Sequence, residues 1–437
     1  MDPMISGLVG TLVMLALMAL RMPVAYAMML TGTAGFALLI SPQAALSLLP
    51  REVYSTFASY DLSTIPLFIL MGQLAFHAGV SKRLYQTAYR FLGHVRGGLA
   101  MATVSACTAF GAVCGSSPAT AATMSSVGIP EMKRYGYSDA LAAGTVASGG
   151  GLGMIMPPSV VLIVYGVLTE QSIGRLFMAG IVPALLLTLL FIAAIATMCT
   201  MSPESGPRGE RSGWGERFRS LGGLSDTLIV FALVIGGMFK GLFTPTEAAS
   251  VGVAGVLGVS VIRRRLSWNG FVQALLETLR TSCMVMMLIA GAVVFGKFLA
   301  VTRIPFEMAG VVAGLDLPGW AIMAAILGIY FLGGCFMDSL ALVMLTVPIF
   351  FPVVLGLGYD PLWFGVVIVL VTEMGVITPP VGINVYVVYG MTRKIAPGIA
   401  LESIFQGIVP FLLAIVAGIT LLFLVPEAVL WLPGLMN

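Results

Sequence analysis

Oxygen-bearing residues and helix breakers share two matching places in this sequence. Ser116 and Ser117 sit in "VCGSSPATAATM", and Asp338 and Ser339 sit in "GCFMDSLALVML". Further along each half a proline pair interrupts an apolar run, Pro157-Pro158 in "GMIMPPSVV" and Pro379-Pro380 in "GVITPPVGIN". A proline inside a helix removes a backbone donor and collides with the preceding turn, at a cost of about 3 kcal/mol. Unwinding there frees carbonyl oxygens and exposes helix ends, which can ligate a sodium ion or face a carboxylate. A lone proline is more often a packing kink, but two symmetric pairs, each beside a hairpin, favour an ion and substrate site. An aspartate at membrane depth costs roughly 2.5 to 3.5 kcal/mol on the insertion scale, so Asp338 needs a partner or a task. Capping the helix that follows and ligating an ion are both open to it, and one carboxylate can do both.

The elements that must position these residues are membrane helices. Of 437 residues, 59% are hydrophobic and only 9% charged, against about 25% charged in soluble domains, and the mean hydropathy is +1.03. Apolar segments of roughly 17 to 25 residues recur along the chain, which implies helices rather than a barrel of alternating strands. The N-terminal "MDPMISGLVGTLVMLALMAL" has no basic start or small-residue cleavage site and reads as a retained first span. A net charge of +3 argues against a nucleic-acid partner. Five cysteines (107, 114, 199, 283 and 335) lack metal or disulfide spacing and read as packing residues, and His77 and His94 read as interfacial or packing residues. No catalytic His/Ser pair and no HExxH motif is present in the sequence, so an enzyme is not expected.

Shifted by about 222 residues, the chain aligns with itself: Pro23 falls on Pro245, Tyr137 on Tyr359, Gly153 on Gly375 and the proline pairs on each other. The expected organisation is a first repeat over 1–201, a cytoplasmic linker over 202–223 and a second repeat over 224–437. Five spans are expected in each repeat, at about 4–20, 24–40, 62–80, 137–168 (broken) and 176–200, then 224–242, 245–262, 281–301, 361–390 (broken) and 405–431. An odd number inverts the second repeat. Charge agrees: Lys82, Arg83, Arg90, Arg96, Lys133 and Arg134 flank the first hairpin candidate, whereas Arg303 stands alone beside Glu307, Asp316 and Asp360 in the second. With Arg208, Arg211, Arg217 and Arg219 of the linker, Arg263 to Arg265 and Arg393-Lys394, the positive-inside rule places both termini outside.

Residues 98–131 and 318–352 each start and end on one side, so each reads as a re-entrant hairpin, turning at Cys114 to Pro118 and at Gly333 to Asp338. The first opens to the cytoplasm and the second to the outside. The basic, aromatic stretches at 81–97 and 263–282 read as interfacial arm helices.

"GSSPATAATMSSVGIPEM", "GMIMPPSVVLIVYG", "GCFMDSLALVMLTVPIFFPVV" and "TPPVGINVYVVYG" together resemble the signature stretches of the large, DctM-like membrane subunit of tripartite ATP-independent periplasmic (TRAP) transporters. The resemblance covers essentially the whole chain. It implies an all-α membrane fold with two hairpins and two broken helices, moving as an elevator, in a bacterial inner membrane. It also implies sodium-driven uptake of an organic acid delivered by a periplasmic binding protein, with a small four-helix membrane subunit as a separate partner and no organic cofactor. Where such proteins often read Asp-Thr-Thr-Pro-Ala, this chain has Asp338-Ser339-Leu340-Ala341-Leu342, which loses a hydroxyl at 340. On this basis one sodium is expected among Gly115, Ser116, Ser117, Gly153 and Met156, and a second among Asp338, Ser339, Thr378 and Pro379. Thr120, Gly382 and Asn384 are expected to meet the substrate carboxylate, and Glu373 is a further buried acid of open role. A stand-alone sodium/carboxylate symporter of the same fold is the alternative, and a channel a more distant one.

Overall fold

The computed structural model describes residues 3–222, 225–304, 307, 310 and 317–436. Gly223, Leu224, Asp316 and the extreme termini, parts of the expected linker, span and charge pattern, lie outside the described residues. Among the described residues all regular structure is helical. The first half contains α1 (Pro3–Ala19), α2 (Val24–Leu39), α3 (Pro42–Phe57), α4 (Thr64–His77), α5 (Val80–Leu92), α6 (Gly98–Cys114), α7 (Ser117–Arg134), α8 (Asp139–Ile155), α9 (Val160–Thr169) and α10 (Ile173–Met201). After α11 (Trp214–Leu221) in the linker come α12 (Ser225–Phe239), α13 (Pro245–Ile262), α14 (Trp268–Thr302), α15 (Gly319–Gly334) and α16 (Ser339–Gly356). The chain finishes with α17 (Pro361–Ile377), α18 (Ile383–Ile395), α19 (Leu401–Leu424) and α20 (Glu427–Gly434).

The duplication in the sequence is a duplication of helix boundaries. α7 starts at Ser117 and α16 at Ser339, α8 ends at Ile155 and α17 at Ile377, each 222 residues apart. α6 with α7 and α15 with α16 are the two hairpins, while α8/α9 and α17/α18 are the two broken helices. The second member of each hairpin packs against the far half of the other repeat's broken helix, α7 on α18 and α16 on α9. That exchange is what a pseudo-twofold between inverted repeats produces.

By length and composition six helices among the described residues qualify as spans, seven if the bent pair Asp61–His77 and Val80–Leu92 is one. Several of the other expected spans are apolar helices of 10–17 residues, including Pro3–Ala19 and Pro361–Ile377. Two expected boundaries are corrected. The arm at 263–282 and the span at 281–301 are one continuous helix, α14, of 35 residues, about 52 Å long. Its counterpart in the first half is the pair α3 and α4, which separate at "ASYDLS" before Pro66, whereas "RTSCMV" in the matching part of α14 contains no Gly or Pro. The expected span 405–431 ends at Leu424, because Pro426 cannot continue it, and α20 follows.

Helix contacts fall into two groups. α1 to α4 pack with α12, α13 and α14, pinned by Thr64 Oγ1 to Thr246 Oγ1 at 2.6 Å and by His77 Nε2 to Glu277 Oε2 at 3.2 Å. The hairpins and broken helices pack with α10 and α19. In a bilayer, with little hydrophobic drive between helices, close backbone approach through small residues holds such a group together. Gly111 of α6 meets Gly153 of α8, and Gly334 of α15 meets Gly375 of α17; a Cβ at Gly375 would lie 2.6 Å from the Gly334 Cα. α8 crosses α19 at Gly144 and Gly407, where a Cβ on Gly407 would run into the Ala140 carbonyl.

The linker is an ordered strap. Gly97 N–H donates to Gly206 O at 2.9 Å, Gly209 N–H to Gly93 O at 2.8 Å and Ser138 N–H to Ser205 O at 3.1 Å. Arg217 stacks on Trp214 at 4.9 Å and reaches His94 Nδ1 at 3.3 Å. The linker thus lies against the residues that precede the first hairpin and the first broken helix.

Candidate functional site

The first hairpin turns in two residues. Gly115 takes the left-handed conformation (φ 63°) and Ser116 is extended before Ser117 opens α7, with Pro118 in the first turn. Gly115 lies directly on the first break, since any Cβ there would collide with the Pro158 carbonyl oxygen. Gly153 lies under the same tip: a Cβ would sit 3.1 Å from Ser116 O and collide with Thr120 Oγ1. Pro157 and Pro158, joined by a cis peptide, have no N–H, so the carbonyls of Gly153 and Met154 lose their ordinary α-helical donors. Met156 leaves the helix in extended conformation, and Ser159 restarts it as a cap on Leu162 N–H at 3.3 Å. The expected first set, Gly115, Ser116, Ser117, Gly153 and Met156, is thus brought together, and the buried Thr120 hydroxyl lies beside it, against Gly153 and the Cys114 thiol.

In the second half Asp338 is extended (φ −62°, ψ 143°) and caps α16, its carboxylate accepting from Leu340 N–H at 3.0 Å. Ser339 behind it is buried with its hydroxyl unpaired. The tip docks on its own break through Val381 N–H to Cys335 O at 3.3 Å. Thr378 ends α17 with its hydroxyl donating to Met374 O at 2.6 Å, and the cis Pro379-Pro380 bond leads to Gly382 (φ 63°), where α18 starts. The halves differ in cover: Met156 to Ser159 are buried, whereas Pro379 to Val381 are exposed.

Both tips open onto one cavity of ≈ 320 Å³. Ser116, Ser117, Asp338 and Ser339 line it, α9 contributes its start at Val160, and the facing wall comes from α4 and α14 with Gln73 and Thr281. Among the described residues no Lys or Arg is on its wall. Positive potential there comes from helix starts: α7 has no side-chain cap, α16 is capped by Asp338, and the first N–H groups of each lack intrahelical partners.

The residues expected to meet substrate are placed otherwise. Thr120 is turned to Gly153, and a Cβ on Gly382 would lie 3.0 Å from the Phe405 ring and 3.3 Å from the Ile377 carbonyl. Asn384 is fully buried, its amide donating to Ser117 Oγ at 2.6 Å and to Ala147 O at 3.2 Å. It ties the second broken helix to the start of the first hairpin's returning helix. None of the three is on the cavity wall. Sequence reasoning missed Gln73 and Thr281; a lone amide in the apolar "ILMGQLAF" was the available signal for Gln73.

Two hairpin tips meeting two helix breaks over an oxygen-lined cavity define a helical membrane transporter. The chain belongs to the DctM component family of tripartite ATP-independent periplasmic transporters, whose profile matches residues 11–428. It is 36% identical over 400 residues to the C4-dicarboxylate TRAP transporter large permease DctM of Pseudomonas aeruginosa, covering 91% of each chain. It is 31% identical to the sialic acid TRAP transporter large permease SiaM of Vibrio cholerae, covering 96% of this chain and 97% of that protein. Among solved structures it shares its fold with the YdaH transporter of Alcanivorax borkumensis, with a TM-score of 0.61 at 15% identity over 88% of this chain and 89% of that one.

Proposed function

We propose that this chain is the large permease of a sodium-coupled importer of an organic acid, receiving its solute from a periplasmic binding protein and working with a small membrane subunit. The observation that carries the reading is the single cavity shared by both hairpin tips at the seam between the two packing groups. In this reading the hairpins and broken helices move together as an elevator against the group built on α4 and α14. Both termini are periplasmic.

Gly115, Ser116, Ser117, Gly153 and Met156 hold one sodium; Asp338, Ser339, Thr378 and Pro379 hold the second. The donors fit a hard cation, being hydroxyls, carbonyls stripped of N–H partners and one carboxylate. The orphaned Ser339 hydroxyl supports this, as buried polar groups without partners are rare unless a ligand completes them. A substrate carboxylate docks at the uncapped start of α7, with Gln73 and Thr281 opposite; Asn384 braces Ser117 rather than touching solute. One sodium driven by a 100 mV potential supplies about 2.3 kcal/mol, and a singly charged anion entering consumes as much, so two ions leave a net drive.

The relatives' names include C4-dicarboxylate, sialic acid and ectoine, so the solute is set elsewhere, in the cavity wall and the binding protein. Uptake into proteoliposomes containing the small subunit, with binding protein added, is the test. Replacing sodium by potassium or choline is expected to abolish accumulation; undiminished uptake would remove sodium from the mechanism. Uptake at full rate without binding protein would instead identify a stand-alone symporter.

A further inference from the structure

Glu373 lies in the last turns of α17, just before the second break. It is fully buried, and neither carboxylate oxygen has a hydrogen-bond partner. The side chain is pressed onto the backbone of α8, where a Cβ on Gly151 would collide with Oε1. One and two turns back along α8, Ser148 and Thr145 are fully buried with their hydroxyls unpaired. Many buried hydroxyls elsewhere in the chain close onto the preceding turn, as Thr31, Thr103, Ser125 and Thr346 do. Two that do not, on the helix that carries Gly151, leave hydrogen-bonding capacity beside an acid that lacks a partner.

The charged side chains on the helices packed against α17 stand at helix ends: Asp139 and Arg175 in first turns, Glu170 and Asp338 at caps, Arg393 and Lys394 in a last turn, Glu402 and Glu427 in first turns. None is an ionic or hydrogen-bonding partner of Glu373. Two buried tyrosines pack on α17 near its other end, Tyr330 against Phe364 and Tyr165 donating to Pro361 O. A bare carboxylate in such surroundings is strongly disfavoured over the neutral acid. A sodium ion needs several oxygens around it and room to sit, but Oε1 is closed off by the Gly151 backbone, and the cavity between the hairpin tips reaches Val376 and stops short of Glu373.

We propose that Glu373 is a proton-binding site between the two broken helices, filled while α8 packs on α17, with the unpaired Ser148 hydroxyl one turn from Gly151 on α8. Its O–H bond breaks only when water reaches the carboxylate and takes the proton, which requires α8 and α17 to part. Proton release is thereby tied to the relative position of the helices that carry the two breaks, and rising pH works against the packed arrangement. The inference holds whichever ion drives uptake.

Infrared spectroscopy of the lipid-embedded protein, labelled with carboxyl-13C glutamate, tests it directly. A label-shifted carboxylic acid band is expected at neutral pH, and it is expected to vanish in Glu373→Gln. Glu373 is the one buried glutamate among the described residues, so the native spectrum decides the matter even if the variant does not fold. Absence of that band, or its loss on adding sodium at constant pH, would overturn the proposal in favour of an ionised carboxylate holding a metal cation. In uptake assays the native protein should lose rate as pH rises, and Glu373→Gln, which cannot ionise, should lose several-fold less; coincident pH profiles would equally overturn it.

Discussion

Asp338 shows how one residue can be resolved into separate tasks. Its carboxylate caps α16, and it also faces the cavity beside Ser339. Asparagine is as good an N-cap as aspartate but carries no charge. Asp338→Asn should therefore keep the thermal stability of the native protein while raising the sodium concentration for half-maximal uptake several-fold. Asp338→Ala should raise it too and lose about 1 kcal/mol of stability besides. Equal sodium dependence in native protein and Asp338→Asn would leave the residue a cap alone. Asn384 makes the opposite kind of contribution, joining two repeats through Ser117 and Ala147. Asn384→Ala removes a buried amide and strands the Ser117 hydroxyl, a loss of about 1 to 3 kcal/mol that a lowered unfolding temperature would report.

At the scale of elements, the breaks and the hairpin tips are one device built twice. Each tip touches the break of its own repeat, through Gly115 on Pro158 and Cys335 on Val381, and each pair of helices behind it meets glycine on glycine. Replacing Pro379 and Pro380 together by alanine returns the missing N–H groups, so α17 can run on into α18 and the carbonyls it exposes are reclaimed. Such a protein should insert and assemble normally yet lose nearly all uptake; retained transport would separate the break from function. Gly407→Ala should instead damage assembly, because a methyl there runs into the Ala140 carbonyl. An overpacked crossing of this kind costs about 1 to 3 kcal/mol, visible as a lower midpoint of thermal unfolding.

For the whole molecule, the proposed elevator movement places its sliding at the seam between the two packing groups. α4 approaches the first hairpin at Gly72, where a Cβ would lie 3.0 Å from the Cα of Cys114, a free cysteine. Gly72→Cys thus creates a pair within reach of a disulfide across the seam. Oxidation is expected to stop uptake by pinning hairpin to wall, and reduction to restore it; uptake that survives a completed cross-link would show that the two groups do not slide past each other here.

Composition, apolar run lengths and the 222-residue self-similarity in the sequence were enough to determine a helical membrane protein in two related halves, with hairpins and breaks at the residues where helices actually end. Those features are local: proline cannot donate, glycine and serine turn a chain, and helix termini follow from such residues wherever they stand. Only the tertiary structure decided that α14 is continuous, that Asn384 is a brace, that Gln73 and Thr281 complete the cavity, and that Glu373 has no partner. Each of these depends on what a helix meets from the distant half of the chain. An apolar helix in a bilayer has no wet face to give that orientation away, so side-chain direction becomes readable only once the helices are packed.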